Sequence, residues 1–116
     1  MYNYTMLIGR LCQDVEIKNT LDGKKVSQLT LAVTRPFKNN ATGNYDVDFI
    51  DLSVWDSLCD IAATYLKKGS RVAVKGRLVS RKVTLESGAV INNLELVGEK
   101  VIFISSEPRE KASEEA

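Results

Sequence analysis

Apolar and polar residues alternate with a period of two along most of the chain, and that period changes only once. Residues 4–12, Tyr4-Thr5-Met6-Leu7-Ile8-Gly9-Arg10-Leu11-Cys12, predict a first strand. Gly9 interrupts it as a bulge or a close backbone approach requires. Asp22-Gly23 is a hairpin signal. Over residues 26–35, Leu29, Leu31 and Val33 share one face and Gln28, Thr30, Ala32 and Thr34 the other, which predicts a half-buried second strand ended by Pro36. The turn-rich loop 38–44 leads to a third strand over 45–55, so that the second and third form an antiparallel ribbon. Between 56 and 68 the period becomes helical: Leu58, Ile61, Ala62, Tyr65 and Leu66 recur on one side. Asp56 or Ser57 suits the N-cap, Lys67-Lys68 the C-terminal dipole and Gly69 the C′ position. A fourth strand over 71–81, a turn at Glu86-Ser87-Gly88, and strands over 89–97 and 101–104 complete the pattern.

Three strands, one helix and then further strands predict an all-β domain with one short helix. The expected architecture is a five-stranded Greek-key barrel of the OB type with an extended β-hairpin, since closure removes most sheet edges. An SH3-like barrel has similar strand content, but a helix between the third and fourth strands favours OB. At 116 residues the chain holds a single domain. We place it over 1–105, followed by a short acidic tail, 106–116, too poor in large apolar residues to fold.

Composition narrows the chemistry. The chain has no histidine, which removes Ser-His and Cys-His nucleophile pairs, imidazole bases and Cys2His2 zinc sites together. Cys12 and Cys59 form no CxxC and sit in apolar patterns, as buried, reduced thiols of a cytoplasmic protein do. Neither a signal peptide nor an apolar run long enough to span a membrane is present. An enzyme is not expected, nor a cofactor.

A net charge of +1 says little, but the placement of the charges says more. Lys67, Lys68, Arg71, Lys75, Arg77, Arg81 and Lys82 follow one another with no acidic residue between them. On the fourth strand, alternation sends Val72, Val74 and Leu78 inward and Arg71, Ala73, Lys75 and Arg77 outward, a cationic stripe fit to track phosphates. On the third strand Ile50, Leu52 and Val54 take the core face, leaving Phe49 and Trp55 outside, where large rings are unexpected unless something covers them. Unpaired bases stacking on them is the functional reading; cover by the helix, a loop or a second subunit is the structural one. Arg35-Pro36-Phe37-Lys38 adds a ring flanked by cations. The acidic block Asp46, Asp48, Asp51, Asp56 and Asp60 is split between faces and lacks a positioned base, so no metal site is expected. Its simpler role is to pair with the basic stripe across strands or subunits.

These residues together resemble bacterial single-stranded DNA-binding proteins of the homotetrameric OB-fold family, over nearly the whole span from Met6 to Phe103. The matching stretches are Leu7-Ile8-Gly9-Arg10-Leu11 with Asp14 following, Leu29-Thr30-Leu31-Ala32-Val33 then Arg35-Pro36-Phe37, Asp48-Phe49-Ile50 through Val54-Trp55, and Tyr65-Leu66-Lys67-Lys68-Gly69-Ser70 through Gly76-Arg77-Leu78. The resemblance implies sequence-tolerant single-stranded DNA binding and protection in replication, recombination, repair or DNA uptake, with stacking positions at Phe37, Phe49 and Trp55. The expected DNA-binding set adds Arg10, Arg35, Lys38, Lys67, Lys68, Arg71, Lys75, Arg77, Arg81 and Lys82. Val83 stands where family members often carry a further stacking ring, and the long linker and acidic tip of the family are missing, so the chain reads as a short form for which tail-mediated recruitment of replication or recombination proteins is not expected. A homo-oligomer is expected from the apolar first strand pairing edge to edge across a two-fold axis, and the resemblance sets the number at four. A second reading, an OB-fold adaptor gripping a primosomal or recombination protein with the same rings, is distinguished by a weaker dependence on salt.

Overall fold

Strands whose apolar side chains repeat every second residue need a common interior, and here five of them curl round to share one. A computed structural model describes residues 1–105; the tail expected over 106–116 lies outside the described residues. The elements are β1 (Thr5–Leu11), β2 (Lys18–Asn19), β3 (Lys25–Lys38), β4 (Tyr45–Trp55), α1 (Ser57–Tyr65), β5 (Arg71–Thr84) and β6 (Val90–Ser105). Round the barrel the order is β1-β3-β4-β6-β5 and back to β1. Every contact is antiparallel except that of β4 with β6, which pair in parallel at Ser53 and Val97. The short β2 pairs with the start of β3 across the Asp22-Gly23 turn. The expected five-stranded OB barrel with one helix is therefore the observed fold.

Its interior holds Leu11, Leu29, Leu31, Leu52, Val54, Val72, Val74 and Leu96, and α1 with the residue after it adds Cys59, Ala62 and Leu66. Gly9 answers to close approach rather than to a bulge: a Cβ there would lie 2.5 Å from the Ala32 carbonyl oxygen. β1 passes nearer to β3 than any side chain allows.

Several elements differ from the sequence pattern. β3 does not end at Pro36 but runs to Lys38; the ladder with β4 is irregular between Thr34 and Lys38, where a residue lacking an N–H is tolerated. The two strands expected over 89–97 and 101–104 are one, β6, because its ladder with β5 absorbs two extra residues. Lys75 pairs with Lys100 but Gly76 with Gly98, so Glu99 is bulged; Arg71 pairs with Ser105 but Val72 with Phe103, so Ile104 is too. The fourth strand, β5, extends to Thr84 rather than 81, and β5 and β6 run on past the barrel as a hairpin arm. Leu78, expected inside, is 44% exposed for that reason. Ala73, expected outside, is buried because Ile8 and Ile102 flank it on the outer surface.

The helix is shorter than its pattern. Leu66 is already extended, so Lys67 and Lys68 lie in the turn beyond the last helical residue, and Gly69 serves that turn by donating its N–H to the Leu11 carbonyl at 2.8 Å. Asp56 holds the N-cap position without a side-chain capping bond, its carboxylate accepting instead from the Lys25 N–H at 3.4 Å. The inward face is Leu58, Cys59 and Ala62, while Ile61 and Tyr65 stay exposed. Of the two free thiols Cys59 is buried as expected and Cys12 only half-buried.

Candidate nucleic-acid interface

The ladder registers set a row of side chains across the outer face. Phe49 on β4 lies opposite Ala32 on β3, Ala32 opposite Arg10 on β1, and Arg10 opposite Arg71 on β5. Neighbouring strands are about 4.8 Å apart, so a ring and two guanidinium groups follow one another over the reach of two or three nucleotides, with only a methyl group between them. Phe49 is 69% exposed, with nothing among the described residues covering it. Arg10 is half-buried and donates to the Gly69 carbonyl at 3.0 Å, which ties β1 to the turn bearing Lys67 and Lys68. That turn is held from its other side as the Lys68 N–H donates to Asp14 at 2.8 Å. Phe49, Arg10, Lys67, Lys68 and Arg71 are thus brought to one region.

Trp55 and Phe37 lie at opposite ends of the β3–β4 ribbon. Trp55 shares the outer face with Phe49 but is half-buried, and its Nε1 donates to Ser53 Oγ at 3.1 Å, which fixes the indole plane. Phe37 is 64% exposed near the ribbon tip. Beside it Lys38 lies with its ammonium 5.9 Å from the centre of the Tyr45 ring, and Tyr45 is itself exposed. Tyr45 was not among the expected site residues, although the spacing Tyr45, Val47, Phe49 already put it on the face of Phe49. Three exposed aromatics therefore follow the ribbon from tip to barrel.

The cationic stripe on β5 is less bare than its sequence. The bulge at Glu99 turns that carboxylate towards β5, where it meets Lys75 Nζ at 2.7 Å and Arg77 Nε at 3.0 Å. Glu95 accepts from Arg81 Nε at 2.9 Å. The hydrogen bond from Lys75 holds the Glu99 carboxyl below its ordinary range, and the same bond raises Lys75. Among the described residues of one chain the acidic block does not pair with this stripe, contrary to the expectation of pairing across strands. Asp48 and Asp46 hold Arg35, at 3.0 and 3.8 Å, Asp60 holds Lys25 at 3.0 Å, and Asp51 accepts from Thr30. The Arg35 contact lowers Asp48. Arg35 is therefore committed to two carboxylates, whereas Lys67, Lys68, Arg71 and Lys82 form no ion pair among the described residues. Glu95 and Glu99 escaped the sequence pattern because only the β5–β6 register, with its bulge, brings them to the stripe.

A groove between the ribbon and β6 is lined by Gln28, Asp51, Ser53 and Glu95 together with Leu52, Leu94 and Leu96, next to Trp55. Among the described residues no three acidic or cysteine side chains converge closely enough to hold a metal ion. No helix among them is long and apolar enough to cross a membrane. The arrangement offers ring faces and cations rather than a nucleophile or a base.

Comparison with known proteins gives a consistent kinship. Residues 2–104 match the Single-strand binding protein family. The chain is similar to "Single-stranded DNA-binding protein B" of Bacillus subtilis, with 38% identity over 114 residues that cover 98% of this chain and 100% of that protein. It is 41% identical over 106 residues to "Single-stranded DNA-binding protein 3" of Listeria innocua, covering 91% of this chain but 66% of that longer protein. Among solved structures, "Plasmodium falciparum SSB complex with ssDNA" superposes with a TM-score of 0.71 and 29% identity, over 90% of this chain and 96% of that one.

Proposed function

The chain belongs to the single-strand binding protein family, and from that premise we propose that it binds single-stranded DNA with little regard to sequence and without catalysing a reaction. Bases stack on Phe37, Phe49 and Trp55, while Arg10, Lys38, Lys67, Lys68, Arg71, Lys75, Arg77, Arg81 and Lys82 neutralise phosphates. The observation that carries this reading is Phe49, a large ring left 69% exposed in line with Arg10 and Arg71. A ring so placed offers a stacking face to any of the four bases, and no base-edge contact is needed. Kinship with bacterial relatives supports a cytoplasmic role in shielding the strands opened by replication, recombination, repair or DNA uptake.

Trp55 is the only tryptophan, so its fluorescence reports binding directly. Titration with oligo(dT) at low salt should quench it, and log K should fall with log[salt] by about 0.7 for each phosphate neutralised. Absence of both quenching and a mobility shift would sink the reading.

We also infer a homo-oligomer, by family resemblance a tetramer. Along Thr5–Gly9, β1 is hydrogen-bonded to β5 on one side only, since its pairing with β3 is confined to Arg10 and Leu11. Met6, Ile8 and Ile102 lie on the outer face beside that edge, each more than 40% exposed. A second copy paired along the same edge would cover both the open backbone groups and the apolar side chains.

A further inference from the structure

The β3–β4 ribbon carries its outermost rings beyond a weak joint. Thr34 pairs with Val47 and the next pair is Lys38 with Tyr45, so three residues of β3 face one of β4, and Pro36 among them has no N–H to give. Phe37, Lys38 and Tyr45 lie in or past that break, where the ladder is interrupted. Side chains bridge it. Arg35 Nε and Nη2 donate to the two oxygens of Asp48 at 3.1 and 3.0 Å, the bidentate form of the pair, and Asp46 lies 3.8 Å from Nη1. Asp46 in turn accepts from Asn39 Nδ2 at 3.1 Å. Asn39 ties the loop closed, its N–H donating to the Asn44 carbonyl at 2.8 Å and its Oδ1 accepting from the Ala41 N–H at 2.8 Å. The network thus runs from Asp48, on the regular side of the break, to the loop at the tip. Alternation puts Asp46 and Asp48 on the face of β4 that bears Ile50 and Leu52, opposite to Tyr45 and Phe49. The guanidinium is held on the side of the ribbon away from those rings.

We propose that Arg35 is a positioning residue for DNA binding and not a phosphate ligand: clasped by Asp48 and Asp46, it splints the ribbon across its break, so that Phe37 and Tyr45 are in place before a strand arrives. This rests on the single-stranded DNA reading above. An isolated exposed ion pair would do little, but a bidentate pair joined to a second carboxylate and an amide fixes a geometry. Rings held still beforehand spare association the ordering that a loose tip would have to undergo. The clasp also gives Asp46 and Asp48 a use beside a nucleic-acid interface, where bare carboxylates would only repel phosphates.

Charge and position predict opposite results, and the full chain can be tested for both. Asp48→Ala removes a negative charge and frees a cation, so electrostatics alone would tighten binding to oligo(dT) and steepen its salt dependence. Loss of the clasp should instead weaken binding about threefold or more, read by Trp55 quenching, with the salt slope unchanged. Arg35→Lys should weaken it similarly, because an ammonium can serve a phosphate but cannot reproduce the fork. In a Phe37→Ala, Tyr45→Ala background, Asp48→Ala should cost nothing further, since the rings it positions are gone. Tighter binding by Asp48→Ala, wild-type affinity in Arg35→Lys, or an undiminished loss in the ring-less background would each overturn the proposal. Without DNA, trypsin should cut after Lys38 faster in Asp48→Ala than in the wild type, while circular dichroism shows the barrel intact; equal rates would overturn it too. Failure of the wild type to bind oligo(dT) at all would instead remove the parent reading and leave the clasp still measurable by proteolysis.

Discussion

Glu99 meets two cations that the strand of DNA would also claim, and the outcome of that competition is measurable. With Lys75 and Arg77 sharing one carboxylate, the three groups present one net positive charge to a phosphate rather than two. Glu99→Gln should therefore tighten binding to oligo(dT) at low salt and steepen the salt dependence by about 0.7 in log K per log[salt] for each protomer engaged, as fluorescence titrations across a salt series would reveal. Trp55→Ala belongs to the other class of change: a loss of about 1–3 kcal/mol in binding with the slope nearly unchanged. Acid tests the same ion pairs through stability. Asp48 and Glu99 are both held below the ordinary carboxylate range by hydrogen bonds from Arg35 and Lys75. Their contribution is thus fully present above the unfolded carboxylate pKa and is lost as pH falls through the lowered folded value. Melting temperature should accordingly drop on the acid side of about pH 4, and the drop should shrink in an Asp48→Asn, Glu99→Gln double variant; because both pairs are exposed the effect is small.

At the scale of the element, the tightest constraint is where strands cross. Gly9→Ala would drive a methyl group to 2.5 Å from the Ala32 carbonyl oxygen, backbone that has no rotamer to yield, and should cost about 1–3 kcal/mol in denaturant unfolding. A result within error of wild type would mean that β1 and β3 separate freely. The glycine itself was legible in the sequence, and so were the ribbon faces, because a period of two leaves Leu29, Leu31, Leu52 and Val54 no other way to share a core. The outward set of Phe49 and Trp55 followed from the same alternation. What alternation cannot carry is a change of phase. The extra residues at Glu99 and Ile104 shift β6 against β5, and alternation along one strand does not show where a partner takes in an extra residue, so one continuous strand read as two and its carboxylates went unpaired with the stripe. Helical spacing likewise put Ile61 and Tyr65 on the core side, whereas the barrel accepts the neighbouring stripe through Cys59 and Ala62, where small side chains let α1 sit close.

For the whole molecule, the open β1 edge makes association the expectation, and Ile8→Glu is the variant that tests it. A carboxylate placed in an apolar contact between copies is left desolvated and unpaired, so sedimentation at micromolar concentration should show the variant as a monomer and the wild type as an assembly. If the wild type is itself a monomer, the edge is simply solvated. The parallel meeting of β4 and β6 carries a different consequence. The antiparallel ladders form one unbroken strip, β4-β3-β1-β5-β6, and the pairing of Ser53 with Val97 is what fastens its two ends. The barrel is in that sense a belt with a buckle rather than a welded hoop. Letting the buckle go breaks few bonds and leaves each ladder intact, so amide protons at the buckle should exchange ahead of those between β1 and β5, through an opening far smaller than global unfolding.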